Sequence, residues 1–332
     1  MKKTLIALAV ASAAVATGVN ASEVYNQDGT TLSVGGRAEA RMNISDGDVY
    51  DKTRVRINLA GKVAVTDDFY GIGFYEGEFM TDDSGDDGDD ALDNRYAYAG
   101  FGGAAGELTY GKNDGALGMI TDFTDTLNDH SGSASRKLAV ADRVDNILSY
   151  KGSFDSVTVK AAYKFADRTT DPVTDEYDNN ETDGASLGVT WAAGDTGIAL
   201  GLGGATQSDD ADGEGDKDQV IGAVSYTLDG LYLAALYSNT SADVDTYDQK
   251  GFELTAQYTQ DQATYYATYG NGETDGDTAV KYVTLEGEYK FKPNFKGYVS
   301  YNINMLDENE GALTFTKAQT EDDVTVGLRY DF

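Results

Sequence analysis

The sequence predicts an all-β fold, a transmembrane antiparallel up-and-down β-barrel of 16 strands with one long loop folded inward. Three observations lead to this prediction. Apolar and polar residues alternate with period 2 in segments of about ten residues, and the connections between segments alternate between long and short. The chain also ends on an alternating strand whose last residue is aromatic. Period-2 alternation places successive side chains on opposite faces of a strand.

The terminal strand shows this pattern without interruption. Apolar residues alternate from Val324 to Phe332, so that they share one face, while the residues from Thr325 to Asp331 between them share the other. In an exported, acidic chain this pattern indicates a strand of an outer-membrane barrel, with its apolar face towards lipid. The predicted location is therefore the outer membrane of a Gram-negative cell.

The N-terminus predicts export. Lys2 and Lys3 form a positive n-region, the stretch from Leu5 to Ala16 is apolar but too short to span a bilayer, and small residues surround Ala21. We therefore predict a signal peptide over residues 1–21 and a single barrel domain over residues 22–332.

The composition excludes several classes of function. The formal charge of −32 disfavours nucleic acid as a partner, because the phosphates would be repelled. The absence of cysteine excludes a disulfide framework and a thiol nucleophile, and a single histidine does not supply the ligands of a typical zinc site. No later run of 18 apolar residues predicts a membrane-spanning helix. We predict neither a cofactor nor a metal.

Sixteen segments follow the alternating pattern. They are predicted at about 31–44, 52–65, 69–80, 94–104, 106–114, 143–152, 156–168, 184–193, 197–207, 218–228, 231–240, 250–260, 262–272, 280–292, 295–305 and 321–332. Tight turns are predicted at Thr66–Asp68, Asp229–Gly230 and Pro293–Asn294, and long loops between them. Short turns at one edge and long loops at the other are typical of outer-membrane barrels, in which the short turns are periplasmic.

The predicted outward face carries two kinds of residue. Aromatic residues lie near the strand ends, where girdles at the membrane interfaces would sit, although tyrosine also simply favours strands. Glycines at positions 71, 73, 77, 100 and 102 are assigned to the outward face of the third and fourth strands. Small outward residues permit close protein packing, which predicts a subunit interface, but glycines that ease barrel curvature are an equal alternative.

The segment from Gly115 to Asp142 breaks the pattern. It is a long loop in which apolar residues are interspersed with Asp122, Asp125 and Asp129. An exposed loop would not need this apolar content, whereas a loop folded against the inner barrel wall would, with its carboxylates aimed into the lumen. Long loops in compact proteins are usually functional.

The inward face of the neighbouring strands supplies the opposite charge. Arg37, Arg56, Arg95 and Arg143 fall on the polar face of four different strands. An acidic loop opposite a basic wall would produce a transverse field across a wet constriction, in which polar solutes orient while apolar solutes lose ordered water. The alternative is that these arginines are only solvated residues of the polar face.

Several motifs together resemble a known family. They are the signal sequence, Val34-Gly-Gly-Arg-Ala-Glu-Ala-Arg41, Gly73-Phe-Tyr-Glu-Gly-Glu-Phe79, Asp93-Asn-Arg-Tyr96, Tyr110-Gly-Lys-Asn-Asp-Gly-Ala-Leu-Gly118 and Gly327-Leu-Arg-Tyr-Asp-Phe332. With these motifs the mature chain closely resembles the OmpU-type members of the general Gram-negative porin family. The match is strongest in the first third and at the C-terminus, and the stretch from about 170 to 280 matches mainly by pattern.

The resemblance implies a sixteen-stranded barrel, a homotrimer and a third loop folded into each pore. The family's basic wall residues map by motif onto Arg37, Arg56, Arg95 and Arg143, and its loop acids onto Asp125 and Asp129. The segment Asn128–Gly132 departs from the Pro-Glu-Phe-Gly-Gly of enteric relatives, which predicts a different loop tip. The second loop, Thr81–Asp93, latches onto a neighbouring subunit in the family and is unusually acidic here.

Two other interpretations of single segments carry less weight. His130 with Ser131 and Ser133 is reminiscent of a barrel hydrolase, but adjacent loop residues do not supply the oriented base that nucleophilic catalysis needs. The acidic runs at 82–90 and 209–214 offer oxygen ligands for calcium without full EF-hand spacing, so a solvated acidic loop is the default.

The predicted function is a water-filled, non-enzymatic channel for passive diffusion of ions and small hydrophilic solutes. The excess of carboxylates predicts a preference for cations. The expected partners are two further copies of the chain in a homotrimer, outer-membrane lipid and lipopolysaccharide, and the barrel assembly machinery, which the resemblance connects with Tyr330 and Phe332. The alternative is a surface adhesin or receptor that uses its acidic extracellular loops.

Overall fold

A computed structural model describes residues 21–81, 92–130, 132–167, 169–170, 177–178, 182–208, 215–243 and 248–332. Within these residues, sixteen antiparallel strands pair in chain order and form one closed barrel, as predicted. The strands are β1 Thr30–Ser45, β2 Arg54–Thr66, β3 Phe69–Met80, β4 Asp93–Gly103, β5 Gly106–Asp114, β6 Arg143–Phe154, β7 Val157–Lys164, β8 Asp183–Ala192, β9 Ile198–Ser208, β10 Lys217–Leu228, β11 Leu231–Ala242, β12 Gln249–Gln260, β13 Ala263–Thr274, β14 Asp277–Lys292, β15 Phe295–Asn304 and β16 Asp323–Asp331.

The last strand closes the barrel against the first. The register between β16 and β1 runs from Asp331 opposite Arg37 to Asp323 opposite Ser45. Phe332 extends this ladder, because its backbone amide donates to the carbonyl of Gly36 at 3.0 Å and its carbonyl accepts from the amide of Gly36 at 2.9 Å. Closure satisfies the backbone groups of both edge strands, which hydrocarbon could not do.

Several shorter elements lie outside the sixteen barrel strands. The strand Ser22–Gln27 pairs with the first residues of β1, and Asp48–Asp51 folds back on its last residues. Two small hairpins, two one-turn α-helices and two 3₁₀ turns complete the described elements: Thr169–Thr170 with Tyr177–Asp178, Asn309–Glu310 with Leu313–Thr314, the helices Gly118–Thr121 and Lys317–Thr320, and the turns Ala139–Ala141 and Gly194–Thr196. In the described part of the chain, none of the helices has the length and apolar character needed to cross a membrane.

The predicted tight turns are confirmed at one edge of the barrel. Asp229 and Gly230 join β10 to β11 with positive φ angles of 46° and 89°, the conformation of a type I′ hairpin turn. The opposite edge carries the long connections, with one exception. Asp275 and Gly276 join β13 to β14 directly, because both strands extend beyond the predicted segments.

The outward face is apolar, and the predicted aromatic residues lie on it. Tyr289, Phe291 and Phe295 pack ring against ring near one short turn, with centroids 5.1 and 5.5 Å apart. Tyr330 and Phe332 stack at 6.3 Å beside the barrel closure. These rings lie at the edge that carries the short turns, where amphipathic aromatic side chains favour a membrane interface.

The prediction for two glycines was wrong. Gly71 and Gly73 share the outward face of β3, but Gly100 and Gly102 face the lumen. Phe101 between them points outward, 58 % exposed, and stacks on Phe69 at 5.4 Å. The reason is an extra residue in β4, since the pairing with β3 shifts next to Arg95 and a bulge reverses the parity of every residue beyond it.

Three predictions fall wholly or mostly outside the described residues. The signal peptide predicted over residues 1–21 lies outside the described residues except for Ala21, and it remains a prediction. The acidic runs at 82–90 and 209–214, with their suggested calcium binding, and most of the second loop also lie outside the described residues.

Candidate functional site

The loop over residues 115–142, here called the inner loop, lies inside the barrel. Leu117, Ile120 and Phe123 are almost fully buried against lumen-facing aliphatic residues of β9 to β11. The cluster comprises Leu117, Ile120, Phe123, Leu138, Val140, Ala141, Ala199, Ala205, Ile221, Ala223, Ala234 and Leu236. A fully buried aliphatic side chain contributes about 1.5–3 kcal/mol. The predicted inward fold of the loop is confirmed, and its apolar residues are the reason.

The barrel wall makes room for the inner loop with glycines. A Cβ atom on Gly203 would lie 2.5 Å from Cδ2 of Leu117, and one on Gly251 would lie 2.2 Å from the carbonyl oxygen of Ala134. Both distances are shorter than van der Waals contact allows. The loop therefore approaches the wall at places where only glycine leaves the necessary space.

Polar side chains of the wall hold both limbs of the inner loop. Glu253 on β12 is fully buried and accepts three hydrogen bonds, from the Thr124 hydroxyl at 2.6 Å and from the amides of Ala134 and Ser135 at 3.1 and 3.2 Å. Gln219 on β10 accepts from the amide of Leu138 at 3.0 Å. Thr124 belongs to the outgoing limb and Ala134 to the returning limb, so one carboxylate fastens the two together.

The tip of the inner loop reaches the barrel closure. Arg41 on β1 donates to the carbonyl oxygen of Asn128 at 2.6 Å and pairs with Asp129 at 3.1 Å. Asp129 also accepts from the Thr325 hydroxyl on β16 at 2.9 Å. Nε2 of His130 lies 2.7 Å from Oδ1 of Asp323. The predicted pore residue Asp129 is thus bound to the wall at the tip.

The same tip contacts two glutamates of β14. The Asn128 amide group donates to Glu286 at 2.7 Å and to Glu288 at 2.8 Å. The inner loop therefore follows the wall from β8 to β14, and its tip lies between β16 and β1. The open part of the lumen lies between the loop and strands β3 to β7.

The arginines of the basic wall are interleaved with carboxylates of the same wall. Arg56 on β2 pairs with Glu78 on β3, and Arg95 on β4 pairs with Glu76 at 2.8 Å. Arg37 lies 3.8 Å from Glu39. The sequence pattern had predicted the opposing acids in the inner loop alone. A signal for these pairs was present, because glutamates alternate with the arginines on one parity of adjacent strands.

A cavity of about 690 Å³ separates the inner loop from this wall. Asp122 and Asp125 line it from the loop, while Arg95 and Arg143 line it from β4 and β6. Four of the seven predicted site residues thus share one cavity. Arg37 and Arg56 lie on the adjoining wall, and Asp129 lies at the tip.

The charges around Asp122 affect its protonation. Enclosure by the barrel wall and the inner loop, together with the negative charge of Asp125, raises the pKa of Asp122 to about 7, even though water in the lumen still reaches the side chain. Lys137 opposes this increase through its positive charge. Asp122 is therefore a lumen carboxyl whose charge changes near neutral pH.

The cavity also contains residues that the sequence analysis did not single out. Lys151 and Lys160 line it from β6 and β7, and Tyr96 donates to Asp114 at 3.0 Å while the Arg143 guanidinium lies 5.4 Å from its ring centroid. Inward parity marks both lysines in the sequence, but it does not separate them from the many other polar residues of the lumen.

The described residues include no cluster of three or more histidine, cysteine, aspartate or glutamate side chains that could hold a metal ion. The ring nitrogens of His130 lie 3.7 Å from Asp129 and 2.7 Å from Asp323, and the Ser131 of the hydrolase interpretation lies outside the described residues. In the described part of the lumen, the charged side chains are therefore arranged mainly as ion pairs.

Comparison with known sequences gives consistent matches. The family model described as Gram-negative porin matches residues 4–312. The chain is 50 % identical to Outer membrane protein U of Vibrio parahaemolyticus and 46 % identical to Outer membrane protein U of Vibrio cholerae, each over the full length of both chains.

Comparison with solved structures gives the same fold. Salmonella typhi OmpF in complex with daunomycin superposes with a TM-score of 0.78 at 22 % identity, over 94 % of this chain and all of that one. The trimer form of OmpT from Vibrio cholerae superposes with a TM-score of 0.69 at 21 % identity, over 92 % and 100 % of the two chains.

Proposed function

Because the chain belongs to the Gram-negative porin family, we propose that its barrel is a cation-preferring diffusion channel whose preference comes from the negative charge at its mouths and is modified by the carboxylates of the inner loop. The protein is an outer-membrane porin, and porins are channels without enzymatic activity. The solutes are ions and small hydrophilic molecules that pass through the water-filled lumen.

The observation that carries the cation preference is the balance of charge in the lumen. Five carboxylates and five cations line the cavity beside the inner loop: Glu107, Asp114, Asp122, Asp125 and Asp142, with Arg95, Lys137, Arg143, Lys151 and Lys160. Because these charges cancel locally, the formal charge of −32 on the chain dominates the potential at the mouths. Removal of the predicted signal peptide takes away Lys2 and Lys3, which makes the net charge of the chain, and therefore this potential, more negative.

The transverse field of the proposed constriction rests on fewer residues than the sequence analysis assigned. Arg56 and the neighbouring arginines of β1 and β2 are held by glutamates of their own wall, so their field towards the loop is reduced. Arg143 has the Tyr96 ring beside it and faces the cavity that Asp122 and Asp125 line. We therefore assign the orienting field to this group.

The reversal potential in a KCl gradient across a planar bilayer tests the proposal. The wild type should prefer potassium, and D122N/D125N should reduce the permeability ratio of potassium to chloride by about twofold, since mouth charges remain. N94D adds an acid at the start of β4, at the barrel edge that carries the long connections. It is the control that tests whether the position of a carboxylate matters. An anion-preferring wild type would contradict the proposal, and an unchanged ratio in D122N/D125N would remove the assignment to these two residues.

The proposed assembly is a homotrimer in contact with lipid and lipopolysaccharide. Gly71 and Gly73 form a small, outward-facing patch on β3 that permits close packing, and one of the similar structures is described as a trimer. Insertion would use the barrel assembly machinery and the C-terminal Tyr330 and Phe332, both of which lie at the barrel closure. Light scattering of the purified protein should give the molar mass of three chains. The G71W/G73W variant should give the molar mass of a monomer. The comparisons do not favour the alternative of an adhesin.

A further inference from the structure

Two lysines face each other directly across neighbouring strands of the lumen wall. Lys151 on β6 and Lys160 on β7 are partners in the antiparallel register, and both line the cavity beside the inner loop. The turn that joins their strands at Asp155 and Ser156 belongs to the edge with the short connections. The two ammonium groups therefore lie between the inner loop and the periplasmic mouth.

This arrangement is electrostatically unfavourable in the protein alone. Like charges directly opposite in an antiparallel pair destabilise a sheet. In the part of the chain that the structure describes, neither lysine has a carboxylate within 4 Å of its ammonium group, and neither donates a hydrogen bond. The other cross-strand charge pairs among the residues that line this cavity, Glu107 with Lys151 and Asp114 with Arg143, join opposite signs.

Three of the nearby acids are engaged elsewhere, and Asp122, which lines the same cavity, attracts both ammonium groups from beyond 4 Å. Glu107, which is opposite Lys151 on β5, accepts the hydroxyl of Tyr70 at 3.0 Å on the side away from Lys160. Asp142 pairs with Lys137 at 3.1 Å. Asp114 accepts from Tyr96. The lysine pair therefore retains two positive charges that the surrounding side chains offset only at a distance.

We propose that Lys151 and Lys160 form an anion subsite that binds the phosphate group of inorganic phosphate or of a phosphomonoester during passage. Directly opposed Cβ atoms lie about 4.5–5.5 Å apart, so two flexible lysine side chains can converge on one tetrahedral oxyanion. A dianion matches the two charges, and its several oxygens accept from both ammonium groups. Chloride offers a single charge and no separate acceptor atoms. The proposal rests on the channel function and adds a local binding step to it.

Titration of the channel current with inorganic phosphate tests the subsite. At pH 8 and constant ionic strength, phosphate replaces chloride on both sides of a planar bilayer, and the conductance of K151Q/K160Q is compared with that of the wild type. The matched control is K290Q/K296Q, which also removes two lysines near the short turns, but both of these are within 4 Å of Glu288. The wild type should show a saturable decrease in conductance. The apparent dissociation constant should rise about tenfold in K151Q/K160Q and stay unchanged in the control.

The outcomes separate the subsite from the channel function. Migration of the unheated protein on a gel verifies that each variant is folded, and the reversal potential in chloride alone reports the cation preference independently of phosphate. A wild type without saturable phosphate dependence overturns the subsite, as does an equal phosphate effect in K151Q/K160Q. If phosphate affinity falls as much in K290Q/K296Q as in K151Q/K160Q, the effect is a general one of lumen charge, and the subsite is overturned as well. A phosphomonoester such as glycerol phosphate should reproduce the effect of inorganic phosphate, because the phosphate group alone is recognised.

Discussion

Replacement of Glu253 with alanine should release the inner loop from the barrel wall. The carboxylate accepts a hydroxyl and two backbone amides from the two limbs of the loop, and it is fully buried. Each buried donor left without its partner costs about 1–3 kcal/mol. Because lumen water can satisfy part of this loss, we expect destabilisation of the docked loop by about 3 kcal/mol. A factor of ten in population corresponds to about 1.4 kcal/mol, so the undocked population should rise about 100-fold.

Single-channel recording is the assay for this change. E253A should show frequent transitions between conductance levels, because the loop moves into and out of the lumen. E253Q removes the same charge but keeps one oxygen acceptor and can exchange roles with the Thr124 hydroxyl, so its current should remain close to that of the wild type. E107A is the control for loss of a lumen glutamate whose hydrogen bond comes from Tyr70 on the barrel wall. A quiet trace for E253A would refute the anchoring role, and equal noise in E253A and E253Q would assign the effect to charge instead.

Two further predictions follow from the lumen. Cation preference of the wild type should decrease as the pH falls through about 7, because the raised pKa of Asp122 keeps its carboxylate charged only above that pH, and D122N should lose this step in a pH series of reversal potentials. A step confined to pH 4, where ordinary carboxyl groups titrate, would contradict this explanation. G203A should displace Leu117 and destabilise the docked loop by about 1–3 kcal/mol, seen as conductance noise, since overpacking a close contact forces side chains to move. G222A, whose Cβ would be 3.8 Å from its nearest neighbour, is the control and should behave like the wild type.

Much of the barrel could be predicted from the sequence, because alternation with period 2 is a local property. The terminal strand from Val324 illustrates this, since its outward and inward rows are the same in the sequence and in the structure. The ends of strands were predicted less well. The seventh segment was expected to continue to residue 168, but β7 ends at Lys164, and β14 begins at Asp277 instead of 280. A strand ends where its neighbour stops supplying hydrogen bonds, and that depends on the register with another segment.

The charge pattern shows the same division. Inward parity identified Arg37, Arg56, Arg95 and Arg143 as lumen residues, and all four lie there in the structure. Their partners could not be assigned, because an ion pair depends on which strands are adjacent and on the direction of each side chain. Asp129 is an example, since it pairs with Arg41 from a strand 88 residues away in the chain.

The sequence by itself determined the class of the molecule: a closed barrel with an apolar exterior, short turns at one edge, and a long apolar and acidic loop that needs an inner wall. These conclusions follow from composition and periodicity, which act over a few neighbouring residues. Only the tertiary structure decided where the inner loop is anchored, which carboxylates neutralise the arginines, and that Lys151 and Lys160 face each other. It also decided that Gly100 and Gly102 face the lumen, because one bulge reverses the parity of the strand beyond it. Such features depend on register and on contacts between residues distant in the chain, and a local pattern carries no information about either.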